Sequence, residues 1–260
     1  MKQDEELKRE IARGREFLKA HDWRRWEGLQ TDQQREVPLP PFQKPIPADV
    51  DPANLLELPA PEELEPGSMP LREAVENRRS RRRFSDAALT LEELSFLLWA
   101  TQGLRRVVNG WSFRTVPSAG SRHPCETYLL IERVEGLTKG LYRFLPAGHR
   151  LLRVKEGPGL RRRAVLALVG QDFNPAATFF WTAVPYRMEW RYAAASAKII
   201  ALDAGHVCQN LYLACEALGC GTCAVGAYDQ ARADELLGVD GEDEFTVYAA
   251  PVGRPLGEGD

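Results

Sequence analysis

Apolar and polar positions alternate along this chain in two distinct regimes. In residues 4–20, Leu7, Ile11, Phe17 and Leu18 recur at helical spacing among alternating charges, which predicts one amphipathic helix. From Leu71 onward helical and extended patterns take turns. A short helix is predicted over 71–78. Thr90-Leu-Glu-Glu93 opens a second with a capping box, and its apolar residues Leu94, Leu97, Leu98 and Ala100 run on to a stop at Gly103. Strands are predicted over 127–134, 140–145 with 150–154 as its hairpin partner, 178–190, 222–228 and 244–252. Further helices fall over 159–169 and from Asp229 to Leu237. The longest, 196–218, carries Ile200, Val207, Leu211, Ala214 and Leu218 with apolar residues on further faces as well, the mark of a central core helix.

Between the regimes lies a stretch of different character. Ten of the eighteen prolines fall from Pro38 to Pro70, among Asp49, Asp51, Glu57, Glu62, Glu63 and Glu65. Each proline fixes φ and removes a donor, so the stretch reads as an extended arm and not as a regular helix or an inner strand. Its apolar residues, Val37, Leu39, Phe42, Ile46, Leu55, Leu56 and Leu58, predict that it lies along a protein surface, its own or a partner's. The chain therefore divides into an N-terminal helix and arm, 1–70, and one domain, 71–260.

Composition narrows the function classes. With 44% hydrophobic and 27% charged residues the chain can bury a core, and a formal charge of −3 argues against a surface built for nucleic acid. The apolar run Ala164–Val169 is far short of the roughly twenty residues a membrane helix needs. No apolar segment follows Met1-Lys-Gln-Asp-Glu-Glu, so the expectation is a cytoplasmic protein whose five cysteines stay reduced.

Four places carry candidate chemistry. Arg78-Arg79-Ser80-Arg81-Arg82-Arg83 reads as a solvated helix end, a nucleic-acid patch or a phosphate cradle, since guanidiniums bind phosphate oxygens bidentately. Pro117-Ser-Ala-Gly-Ser-Arg-His-Pro124 is either an ordinary loop or a backbone that approaches a flat ligand, with Ser118, Ser121 and His123 as donors. Gly219-Cys-Gly-Thr-Cys-Ala224 fits the dinucleotide fingerprint formally, yet it follows a helix and opens a strand, the wrong order for that motif and for a redox C-x-x-C. Its glycines read as a helix C-cap, after which Gly226 and Ala227 leave backbone N–H groups free near a ligand. Asp203, His206 and Asn210 share one face of the long helix and read as a polar network; no metal site is expected.

Taken in order, these pieces form a set: R-R-S-x-R-x-F at 78–84, L-T-x-E-E-L-S-x-L-L-W-A from Leu89, P-S-A-G-x-R-H-P at 117, D-A-G-H-x-x-Q-N-L-Y-L-A from Asp203, G-x-G-T-C-A-V-G-A-Y-D from Gly219 and V-G-x-P at 252. Over about Leu71 to Pro255 this resembles the nitroreductase family of flavoproteins, and within it the SagB-type dehydrogenases. The resemblance implies an α+β fold, a nitroreductase-like mixed sheet flanked by helices, here with an extended N-terminal arm. It also implies an intertwined homodimer with FMN at the interface.

By the same resemblance Arg78, Arg79 and Ser80 would hold the FMN phosphate and ribityl chain, and Arg82 would lie near the pyrimidine edge. Ser118, Ser121 and His123 would border the ring, Gly226 and Ala227 would face N5, and Arg254 would be a second phosphate ligand. Tyr192 and His123 are the candidate proton donors. Where azole-forming relatives often carry Lys-Tyr, this chain has Arg191-Tyr192, and an arginine cannot serve as a base. The leading expectation is an FMN-dependent oxidoreductase working by ping-pong hydride transfer, with NADH or NADPH as co-substrate and a small-molecule or peptide substrate. Segments 105–114 and 170–195 are expected to cover the flavin and select that substrate. The alternatives are an azoline-to-azole dehydrogenase of a peptide-modifying complex and a flavin-binding sensor without turnover. Because two subunits would form each site, the arm is expected to wrap the neighbouring protomer.

Overall fold

A computed structural model describes residues 2–20, 28 and 30–257; the parts of the N-terminal segment at 1, 21–27 and 29, and residues 258–260, lie outside the described residues. Seven strands form one sheet: β1 (Leu55–Glu57), β4 (Cys125–Ile131), β5 (Gly140–Leu145), β6 (Arg150–Lys155), β7 (Ala177–Ala183), β8 (Gly221–Thr222) and β9 (Phe245–Gly253), in the order β1-β6-β5-β4-β7-β9-β8. A separate hairpin joins β2 (Leu104–Val108) to β3 (Trp111–Arg114). Every ladder between these strands is antiparallel, and parallel pairing is confined to the isolated bridges Ser80–Thr222 and Leu89–Val134.

The central strands are apolar on both faces because both faces are covered. Leu129, Ile131, Phe179 and Trp181 point to a cluster with Leu94, Leu97 and Leu98 of α3 (Leu91–Gln102) and Val207, Leu211 and Ala214 of α6 (Ser196–Ala217). The intervening Tyr128, Leu130 and Phe180 point the other way, onto Leu160 and Ala164 of α4 (Leu160–Ala167) and Leu236 and Leu237 of α7 (Gln230–Leu237). The period-two alternation of a strand thus feeds two cores, and the domain is a three-layer α+β sandwich.

Much of the expected element order holds. Thr90 and Glu93 form the capping box reciprocally, and Asp229 caps α7 through Arg232 N. Two strands are shorter than the pattern predicts. The run 178–190 splits at Pro185: β7 ends at Ala183, and α5 (Tyr186–Tyr192) follows, burying Arg187, Met188 and Trp190. Proline has no N–H for a ladder, and its fixed φ suits a helix start. The run 222–228 pairs only at Gly221–Thr222 and at a bridge from Val225 to Ala249. Ala224 N donates to Tyr212 Oη instead, which pulls the backbone off the sheet.

The arm runs along the sheet edge of its own chain. β1 completes the sheet edge by pairing Leu55 with Leu152 and Leu56 with Leu151. Upstream of it, Trp190 Nε1 donates to Val37 O, Arg114 Nη2 to Phe42 O and Arg143 Nη2 to Pro45 O, while Lys44 Nζ lies 2.5 Å from Glu244 Oε2. Carbonyls of the arm that have no ladder partner are thus taken by Trp190 and two buried arginines. N-terminal to the arm, α1 (Lys2–Leu18) keeps Leu7, Ile11 and Leu18 exposed. α2 (Leu71–Asn77) precedes the arginine run.

Candidate functional site

The sequence-predicted residues fall into two groups at different heights on α6. The first group forms where α2 stops. Arg78 caps the helix through its own N–H to Ala74 O and turns the chain extended. Ser80 then bridges Thr222, Arg81 N donates to Thr222 O, and Phe84 is buried against Gly253, where a Cβ would lie 2.7 Å from the ring. Anchored at both ends, the run displays Arg79, Ser80 and Arg82 on the surface. Ser80 Oγ is 2.9 Å from Tyr212 Oη, which also accepts from Ala224 N at 2.8 Å, and the Arg78 guanidinium lies 5.4 Å from the Tyr212 ring centre. Two residues beyond Ala224, Gly226 and Ala227 are exposed. One tyrosine therefore ties the arginine run to the loop carrying Gly226.

Tyr212 carries no role in the sequence reading beyond its place in the motif that starts at Asp203. Tyr212→Phe removes two hydrogen bonds worth about 1 kcal/mol each. The expected outcome is a several-fold to tenfold loss of affinity for a ligand seated on Arg78 and Ser80, checked by equilibrium titration; unchanged affinity would mean that Tyr212 does not position them.

The second group is the loop 117–124. Ser118 Oγ donates to Asp203 Oδ2 at 2.5 Å and accepts from His123 N at 2.9 Å, so α6 holds the loop through one carboxylate. Burial raises the pKa of Asp203 despite the bond from Ser118. Gly120 (φ 55°) packs on α5: a Cβ there would lie 2.7 Å from Tyr192 Oη and 2.8 Å from the Arg191 side chain. Arg122 is buried between Trp111 and Trp190, with its guanidinium 3.7 Å and 5.2 Å from their ring centres. The loop thus brings Ser118, Ser121, His123 and Tyr192 into one neighbourhood. Asp203 and Tyr212 are nine residues apart on α6, which separates the two groups by about 13 Å along the helix axis.

His123 sits in surroundings that disfavour the imidazolium. Burial first, then Arg114 and Arg122, lower its pKa to about 3, so the imidazole is neutral across the physiological range. A neutral imidazole is the weaker acid, which favours Tyr192 over His123 as the proton donor. The pH–rate profile is expected to show no inflection from His123 between pH 5 and 8. The sign for stability is definite: both His123 and His149, the latter lowered to about 4 by burial, are depressed below the ordinary 6.5, so the folded state loses stability as pH falls from about 6.5 toward 3. Urea midpoints from pH 8 to 4 check this, and a flat response above pH 4 would contradict it.

Arg254, the second phosphate ligand expected from the resemblance, is engaged within the chain. It donates from Nη1 to Leu218 O and Cys220 Sγ, and from Nη2 to Glu93 Oε1, closing the C-terminus of α6 onto α3. These contacts make Arg254 a structural clasp at the base of the arginine run. Cys220 and Cys223 are both free and buried, and burial pushes Cys220 up to about 12, which disfavours the thiolate that a redox C-x-x-C needs. Asn210 Nδ2 donates to Ala100 O, and His206 Nδ1 lies 3.9 Å from Asp203. Among the described residues no cluster of three metal-ligating side chains occurs, and no helix is long and apolar enough to cross a membrane.

A cavity of about 1010 Å³ opens beside the lower half of α6, lined by Ile200, Ala204, Gly205, Gly226, Tyr228 and Tyr248 among others, with Phe17 of α1 at its side. A second, of about 560 Å³, contains Ser118, Ser121 and His123. The surroundings suit a flat, anionic cofactor: exposed guanidiniums and a hydroxyl at one end, small residues along α6 and exposed loop backbone at Gly226 and Ala227.

Comparison with known proteins agrees with that chemistry. A model of the nitroreductase family matches residues 75–254. A provisionally named nitroreductase of Methanocaldococcus jannaschii is 32% identical over 202 residues, spanning 77% of this chain and 96% of the relative. Among solved structures, a provisionally named nitroreductase of Ralstonia eutropha aligns with a TM-score of 0.65 at 26% identity, over 85% of this chain and 99% of its own. Two others share the fold. One is a chain of the Escherichia coli microcin synthetase McbBCD complex with truncated pro-MccB17 bound (TM-score 0.59, 18% identity, 71% and 73% coverage). The other is a provisionally named nitroreductase from Desulfovibrio desulfuricans in complex with FMN (TM-score 0.50, 20% identity, 74% and 90% coverage).

Proposed function

This chain belongs to the nitroreductase family of oxidoreductases, and from that premise we propose that it is an FMN-dependent enzyme that passes hydride from a nicotinamide donor to a second substrate at the same flavin face. The observation that carries the reading is the join between the arginine run and the Gly226 loop through Tyr212. It gives one surface with donors for a phosphate at one end and exposed backbone N–H groups at the other. Arg78, Arg79 and Ser80 would hold the phosphate, Arg82 the pyrimidine edge, and Gly226 and Ala227 the side of the ring where hydride moves. FMN supplies the hydride-accepting and hydride-donating centre when bound. The chain supplies position, a dry floor from α6 and, through Tyr192, a phenol beside the loop at Gly120.

The separation of the two residue groups along α6 supports a homodimer, in which a second copy brings its Ser118 loop opposite the arginine run. α6 offers a surface for that contact, with Leu202 54% exposed beside Ala201 and Gly205. Sedimentation of the FMN-loaded protein at the mass of one chain would exclude it. Initial rates with NADH or NADPH against a quinone test the reaction order: parallel double-reciprocal lines are expected, and intersecting lines would sink the ping-pong reading.

The shared fold with a chain of the microcin synthetase complex favours a second reading, oxidation within a peptide-modifying assembly. Arg191 weighs against it as a base, since its guanidinium stays protonated. Oxidation of an azoline peptide at rates matching or exceeding quinone reduction would reverse that order.

A further inference from the structure

Along a regular strand, neighbouring side chains face opposite sides. β2 departs from this at Arg105. Leu104 pairs with Arg114 and Arg106 with Phe113, so partners two residues apart on β2 meet partners one residue apart on β3. Arg105 is the extra residue of a β-bulge, a device that re-aims a side chain. In consequence Arg105 and its neighbour Arg106 both line the 560 Å³ cavity that holds Ser118, Ser121 and His123. Arg106 is steadied by Phe113, 4.7 Å from guanidinium to ring centre. Arg114, also in the wall, is already committed to Gln102 Oε1 and Phe42 O. No carboxylate lines the cavity among the described residues.

We propose that the bulged Arg105–Arg106 pair is the substrate-selecting element of this site and recognises an anionic group, a carboxylate or a phosphate, on the molecule that enters beside Ser118 and Ser121. The inference rests on the reading that this loop borders the flavin. Two adjacent guanidiniums on one wall match the oxygen geometry of either anion, and a cationic wall without counter-charges gains most from an anionic occupant. Arg105 and Arg106 are exposed on β2, so they can be changed without touching the core.

The test uses FMN-loaded, full-length protein, the variant Arg105→Gln/Arg106→Gln and the charge-keeping variant Arg105→Lys/Arg106→Lys. Calorimetry measures binding of benzoate, its neutral isostere benzamide and inorganic phosphate. At least one anion is expected to bind, at least tenfold weaker to the glutamine variant and partly restored in the lysine variant, with benzamide unchanged. Rates with NADPH against NADH, and with a carboxylated quinone against its neutral parent, then separate the two sources: loss confined to NADPH places the anion on the donor, and loss confined to the carboxylated quinone places it on the acceptor. Equal affinities in wild type and glutamine variant, equal losses for benzamide and benzoate, or a fall in FMN affinity would each overturn the proposal. Failure of the wild-type protein to take up FMN would instead remove the flavoenzyme reading, while anion binding to the hairpin would remain measurable.

Discussion

Replacing Arg78 and Arg79 together by glutamine is expected to weaken FMN binding by at least two orders of magnitude. Charge-assisted hydrogen bonds contribute about 1.5–3 kcal/mol each, so losing two costs roughly 3–6 kcal/mol, or about 10² to 10⁴ in affinity. Arg254 is a poorer substitute for them, because its guanidinium closes α6 onto Glu93. Both replaced side chains lie toward the surface, so the fold should survive, with the urea midpoint of the flavin-free protein nearly unmoved. Flavin fluorescence titration reads the affinity. An unchanged affinity would place the phosphate elsewhere and remove the central residues of the account.

The second large effect is on stability. Glu126 is 3% exposed; its Oε1 accepts from Arg187 Nη2 and, at 2.6 Å, from Lys44 N. Burial alone would raise its pKa, but Arg187 and the Lys44 amide hold the carboxyl below its ordinary value. Arg187 is itself buried and its Nη1 reaches His123 O, so this one pair ties the arm, β4, α5 and the site loop together. Glu126→Ala leaves a buried guanidinium without its counter-charge, a change that costs about 3–5 kcal/mol. In a protein of this size that is a fall in Tm of roughly 10 °C, measurable by calorimetry. The sign with pH follows from the depressed pKa: this contribution is complete above the ordinary carboxylate range and is lost as the medium acidifies through the folded value. A fall in Tm of less than 2 °C would show that water or another residue neutralises Arg187.

The sequence was most legible where local chemistry decides the outcome. The capping box at Thr90 and Glu93, the Asp229 cap and the hairpin of 140–145 with 150–154 depend on neighbours in the chain. The β2–β3 hairpin carries a local signal as well, Asn109-Gly110 with φ of 51° and 80°, the sequence favoured in two-residue hairpin turns. Aromatic residues over 178–190 suggested one strand, and Pro185 broke it; in such runs the missing N–H outweighs side-chain propensity.

What stayed illegible was set by residues distant in sequence. The neutral state of His123 comes from burial and from Arg114 and Arg122, which share its neighbourhood only after folding. Arg254 looked free because Glu93 and the end of α6 lie 161 and 36 residues away. The arm's composition announced an extended chain, but its docking depends on arginines of β3 and β5 that sequence gives no reason to pair with it.

The central claim is that this chain holds FMN and turns it over. An anaerobic titration of the FMN-reconstituted protein with NADH and then NADPH, followed by its visible spectrum, tests it most directly. The account predicts stoichiometric flavin, bleached by one of the two donors and restored by a quinone. A protein that binds no FMN, or binds it and leaves it oxidised under both donors, would contradict it.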